Sequence, residues 1–104
     1  MRFDVFANDN MLTRKRFPFL LVLQSALLEG LDTSVVVPLG KSSILSGKLA
    51  QTLTPRLDVD GSEYVMYTPE LAAVPVARLK KRVTNIEAQR DAIVRAVDFL
   101  FDGI

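Results

Sequence analysis

The chain contains no cysteine and no histidine. The first absence excludes disulfides and thiolate nucleophiles, and the two together remove the usual zinc ligands and the side chain that titrates nearest neutral pH. A charge excess is missing as well. Thirteen Lys and Arg stand against 12 Asp and Glu, a formal charge of +1, too even a balance to drive generic nucleic-acid binding through counterion release, so no nucleic-acid specificity is expected. Nor is there a long apolar run: Phe17 to Leu23 falls far short of the ~20 apolar residues a membrane-spanning helix needs. Arg14-Lys15-Arg16 ahead of that run imitates a secretion signal, but Asp4 and Asp9 precede it and Pro18 interrupts it. The expected compartment is the cytoplasm, with no membrane partner.

What is present suffices for one core. With 104 residues, 49% hydrophobic and 24% charged, the composition lies far from that of disordered chains and predicts one compact domain over residues 1–104.

The hydrophobic pattern has period two over most of the chain. Met1 to Phe6 alternates, with Phe3 and Val5 on one face and Arg2, Asp4 and Phe6 on the other, as in a half-buried strand. The Asn-Asp-Asn centre of Ala7 to Thr13 reads as a polar loop. Phe17 to Leu23 predicts a second strand with Pro18 at its start or edge, and Gln24 to Asp32 is too irregular for either period, which leaves Leu27 and Leu28 adjacent in a loop. Ser34 to Leu39 predicts a third strand, ended by Pro38 because that residue has no N–H for a ladder. Between Gly40 and Thr54, Ile44, Leu45, Leu49 and Leu53 fall at near-helical spacing cut by Gly47. Arg56 to Val59 and Tyr64 to Tyr67 flank Asp60-Gly61, a dipeptide suited to the positive φ angles of a two-residue hairpin turn. Ala73 to Ala77 forms one more extended piece before the basic segment Arg78 to Arg82. Several short strands with turns between them predict a barrel or sandwich.

The period then changes. Thr84-Asn85-Ile86-Glu87 matches a capping box, which predicts a helix start with Thr84 and Glu87 bonding reciprocally. Ile86, Ile93, Val97, Leu100 and Ile104 recur at helical spacing, acids hold another face, and Gly103 is placed to stop the helix.

Constellations that suggest chemistry fail on spacing. Asp58 to Glu63 resembles part of a calcium loop but lacks the later ligands, and a hairpin turn explains it. Gly40-Lys41-Ser42 has the tail of a P-loop, but Val35 occupies the position of the motif's first glycine. Glu87 and Asp91 lie one turn apart on a polar face, without the burial that raises a catalytic carboxyl. Arg14-Lys15-Arg16 and Lys80-Lys81-Arg82 could follow a phosphate backbone, though solvated loop charge is the ordinary reading. Neither a metal nor a cofactor is expected. The apolar residues are less easily absorbed: one helix face cannot bury Phe99, Leu100, Phe101 and Ile104 together, and with Leu27-Leu28 they point to a protein partner.

Read in order, Met1-Arg2-Phe3-Asp4-Val5-Phe6, Leu23-Gln24-Ser25, Val36-Val37-Pro38-Leu39, Val74-Pro75-Val76 and Phe101-Asp102-Gly103-Ile104 resemble the CcdB family of toxins along the whole chain. The resemblance implies a mainly β fold with one C-terminal α-helix: an SH3-like barrel made of an antiparallel sheet and a small second sheet, assembled as a homodimer. It also implies a toxin, not an enzyme, that binds the DNA gyrase A subunit, traps the gyrase–DNA cleavage complex, and is neutralised by a CcdA-type antitoxin.

On the family's pattern, Leu27 and Leu28 match an aliphatic pair that contacts gyrase, and Asp98, Phe101, Asp102, Gly103 and Ile104 match the contacting last helical turn and chain end. Asp98 stands where the family has asparagine, and Asp102 where the best-known plasmid members have tryptophan. The second change exchanges a stacking surface for a solvated charge. Leu45-Ser46 and Lys48 match a stretch that contacts the antitoxin, and Arg14 and Arg16 add charge that an acidic disordered segment can use. Two rivals stay open: a MazF- or Kid-like endoribonuclease, because those toxins share the barrel and fold does not fix function, and a non-poisoning relative that still binds antitoxin.

Overall fold

The computed structural model describes residues 1–42 and 45–103. The chain is mainly β, a curled antiparallel half-barrel with a C-terminal helix. The strands are β1 (Asp4–Ala7), β2 (Phe19–Val22), β3 (Thr33–Gly40), β4 (Arg56–Val59), β5 (Ser62–Met66), β6 (Ala72–Pro75) and β7 (Arg82–Asn85). Their order is β4-β5-β3-β2-β1-β7, and β6 also pairs with β3. The smaller sheet implied by the resemblance is therefore joined to the main one through β3.

Pro38 lies inside β3 and does not end it, contrary to the expectation from its missing N–H. Its carbonyl accepts from Tyr67 N–H at 2.9 Å, so its nitrogen faces the same side. There β3 passes from β6, paired at Thr33 to Val36, to β5, paired at Leu39 and Gly40. No ladder partner needs a donor at that fork, and Leu20 opposes Pro38 on the other side.

Adjacent apolar residues in these strands serve two faces. Val5, Leu21, Val37, Leu39, Leu57, Val59 and Met66 form the main core with Phe3, Ile86, Ile93 and Ala96. Phe6, placed on the polar face by its sequence pattern, is 6% exposed and packs in a second cluster with Val22, Val36 and Leu79. The hairpin forms as its dipeptide predicts, with Val59 opposite Ser62 and positive φ at Asp60 (51°) and Gly61 (88°).

Two helices cover the half-barrel. Of the residues at near-helical spacing between Gly40 and Thr54, Leu49 and Leu53 fall in α1 (Gly47–Leu53), which Gly47 opens and which packs against α2 (Arg90–Asp102); Leu45 precedes it, and Ile44 lies outside the described residues. The predicted start of α2 is displaced. Thr84 belongs to β7, Glu87 lies in a 3-10 turn (Glu87–Gln89), and Asn85 Oδ1 accepts from Glu87 N–H at 2.9 Å in place of the capping box. The β7 strand wins because it adds a ladder partner to β1, opposite Asp4, Val5 and Phe6. Gly103 ends α2 as expected, at φ 73°, with its N–H donating to the Phe99 carbonyl at 2.9 Å.

Candidate protein-binding site

The leucine pair sits on a single 3-10 turn (Ala26–Leu28) between β2 and β3. Ser25 Oγ accepts from Leu27 N–H at 3.2 Å and starts the turn. Gln24 then fixes the whole connection: its Nε2 donates to the carbonyls of Leu28 (3.3 Å) and Thr33 (3.2 Å), and its Oε1 accepts from Val35 N–H (3.1 Å). With the backbone so held, Leu27 is 93% and Leu28 48% exposed. Gln24 is a positioning residue that the apolar pattern did not single out, because its role depends on partners nine and eleven residues away.

At the other contributor, α2, the inward face is filled by Ile93 and Ala96, with Val97 and Leu100 half-buried. Phe99 is half-buried too, whereas Phe101 is 69% exposed. Asp98, Asp102 and Gly103 are exposed. The left-handed Gly103 turns the chain out of the helix immediately after Asp102. Ile104 lies outside the described residues.

The first two residues lie between these displays. Leu28 lines a cleft with Met1, and Asp98 lines another with Arg2 and Leu23. Met1 is anchored by its ammonium to Glu29 at 2.6 Å, and the Arg2 guanidinium lies 4.7 Å from the Phe3 ring centroid. Phe3 itself is held at φ 69° by hydrogen bonds to the main chains of Val22 and Ile86. Leu28 and Asp98 are thus brought to one end of the sheet, about a common dipeptide.

The residues assigned to the antitoxin lie elsewhere. Arg14 and Arg16 occupy the β1–β2 loop, at the opposite end of those strands, and Lys48 lies exposed on α1. Arg16 is partly committed within its own chain, 4.7 Å from the Phe17 ring and 3.8 Å from a Glu70 carboxylate oxygen. Among the described residues there is no group of acids able to hold a metal ion, and no helix is long and apolar enough to cross a membrane.

Such an arrangement offers surfaces to grip: exposed large apolar groups on a hydrogen-bonded turn and a helix end, edged by carboxylates. Apolar anchors with a polar surround are the usual energetic centre of protein interfaces. Compared with known families, residues 2–103 match the family model described as CcdB protein.

Proposed function

The chain belongs to the CcdB family of type II toxin–antitoxin toxins, and from that premise we propose that it acts as a homodimer that binds the DNA gyrase A subunit, trapping the enzyme with its DNA cleaved. Leu27, Leu28, Asp98, Phe101, Asp102, Gly103 and Ile104 form the gyrase-contacting surface in this reading. The observation that carries it is the exposure of Phe101 (69%) and Leu27 (93%) at positions matching the family's contact residues. Large apolar groups left in water at two supported turns are what a partner can desolvate for a gain of about 25 cal/mol per Å².

The toxin makes and breaks no bond in this mechanism. It is a wedge whose binding energy stabilises one state of the target's own cycle, and a ligand shifts an equilibrium only through its differential affinity for the states. A CcdA-type antitoxin neutralises it, with Lys48, Arg14 and Arg16 meeting acidic groups of the antitoxin's flexible segment.

Incubation of the purified protein with gyrase and plasmid, and separately with RNA, tests the proposal. Gyrase-dependent linear plasmid is the expected product. Cut RNA without linearised plasmid would turn the reading to an endoribonuclease. The exposed carboxylate of Asp102, where stacking surface stands in plasmid members, favours one further rival, an antitoxin-binding relative that does not poison. Intact plasmid and intact RNA together would favour that reading.

A further inference from the structure

The two basic runs, distant in sequence, meet at one end of the sheet. The β1–β2 loop carries Arg14, Lys15 and Arg16 beyond Ala7 and Phe19. β7 lies antiparallel to β1 on its other side, and the hydrogen bond from Ala7 N–H to the Lys81 carbonyl (2.9 Å) places Lys80 and Lys81 at the same end. Arg78 is tied there by an ion pair to Asp9 at 3.2 Å.

β3 completes the row. Leu39 opposes Phe19, so Gly40 at the end of β3 and Lys41 after it lie beside the loop. The approach is close: a Cβ on Gly40 would lie 2.9 Å from the Arg16 carbonyl oxygen. Seven cations therefore gather against two carboxylates, Asp9 and Glu70, each already paired to one of the seven. Among the described residues, Arg14, Lys15, Lys80 and Lys81 are exposed and have no carboxylate within ion-pair reach. The even charge of the whole chain conceals this, because Glu87, Asp91, Asp98 and Asp102 lie along the C-terminal helical segment.

We propose that this end of the sheet docks the phosphate backbone of duplex DNA without reading its sequence. The row crosses β7, β1, β2 and β3, three strand spacings or roughly 14 Å, a length of duplex axis that presents about eight phosphate charges. Long, exposed, unpaired cations match such a lattice of charge. Single-stranded nucleic acid is the poorer fit, since it needs free aromatic faces to stack on. Here Phe17 and Tyr67 are buried against each other, and Tyr64 packs edge-on to Phe19. The Asn8 amide, one group near the loop that could read a base edge, is used on Thr13 and Phe17. The surface does not depend on gyrase being the target.

Fluorescence anisotropy of the isolated protein with a labelled duplex of arbitrary sequence tests this. Affinity in the range of about 10⁻⁶ to 10⁻⁴ M is expected at physiological salt, falling with a log–log slope of about 0.9 per phosphate engaged. Lys80→Glu with Lys81→Glu, and separately Arg14→Glu with Lys15→Glu, should each weaken binding at least about tenfold and flatten the slope. Arg90→Glu with Arg95→Glu, on α2, should leave it within about twofold, because these positions belong to another surface. Unchanged thermal melting would show that the variants remain folded. Absence of duplex binding at low salt, equal binding by the charge-reversed variants, or binding of poly-glutamate with none of duplex would each overturn the proposal, the last by assigning the surface to an acidic polypeptide.

Discussion

Gln89 closes the free edge of β4 by pairing its side-chain amide with both backbone groups of Asp58. Asp58 N–H donates to Gln89 Oε1 and Gln89 Nε2 donates to the Asp58 carbonyl, each at 2.8 Å. The carboxamide acts as one residue of an absent neighbouring strand, protecting an edge that otherwise invites another chain. It also ties the start of α2 to the sheet, and so fixes where the helix can end.

Replacing Gln89 by Ala should lower the unfolding free energy by about 1–2 kcal/mol, the worth of two partly exposed hydrogen bonds, as read from urea denaturation. Gln89→Glu keeps the acceptor but sets a carboxylate against the Asp58 carbonyl. Its deficit relative to the parent should narrow as pH falls through the carboxylate range, where the protonated acid can donate again. A deficit independent of pH would show that the bond to the Asp58 carbonyl contributes nothing.

Gly40→Ala should cost about 1–3 kcal/mol through overpacking, measured as a lower melting temperature. The added methyl would meet the Arg16 carbonyl oxygen at 2.9 Å and the Tyr67 ring at 3.1 Å. The first of these is backbone and cannot swing aside, so the loop itself must shift.

Exposed and buried apolar residues should separate cleanly in a toxicity assay. Leu27→Asp and Phe101→Ser, at 93% and 69% exposure, should change stability by no more than about 0.5 kcal/mol while abolishing growth arrest on induced expression. Ile93→Ala, at 1% exposure in the main core, should cost about 2–5 kcal/mol. Growth arrest retained in both exposed-site variants would contradict the site.

Asp102→Trp should strengthen binding to the gyrase A subunit by about 1 kcal/mol through arginine stacking and make it less sensitive to salt, because a screened ion pair is exchanged for apolar and π contact. Titration calorimetry at two salt concentrations reads both effects. Weaker binding by the tryptophan variant would mean that the aspartate makes a specific contact of its own.

Local signals were legible in the sequence where local chemistry decides the outcome. Asp60-Gly61 specified its hairpin, and Gly103 its helix end, because both rest on backbone geometry that few other residues tolerate. Capping residues misled where tertiary pairing intervened. Thr84 to Glu87 could begin a helix, but β1 needed a neighbour, and the strand took Thr84. Phe6 departs from its sequence pattern for a related reason: alternation identifies a strand's two faces without saying that both are covered, here by Leu79 and Val22.

The candidate site was legible as residue types and not as a place. Leu27 and Leu28 stand out as adjacent leucines in a loop, and Phe101 as part of more apolar surface than one helix face can bury. What brings Leu28 and Asp98 to one end of the sheet is the ordering of β1, β2 and α2 around Met1 and Arg2. The positioning role of Gln24 is not legible in the sequence for the same cause, since a glutamine acquires such a role only from the backbone groups that surround it. The charge at the far end was likewise hidden, because counting Lys and Arg along a chain takes no account of which strands become neighbours.

Direct binding of the purified proteins tests whether the chain's last helical turn grips the gyrase A subunit. By biolayer interferometry the intact protein should bind immobilised gyrase A subunit, and a variant lacking Gly103 and Ile104, with unchanged melting, should bind at least about tenfold more weakly, a loss of about 1.4 kcal/mol or more. Equal binding by the two forms, or no binding by the intact protein, would contradict the account.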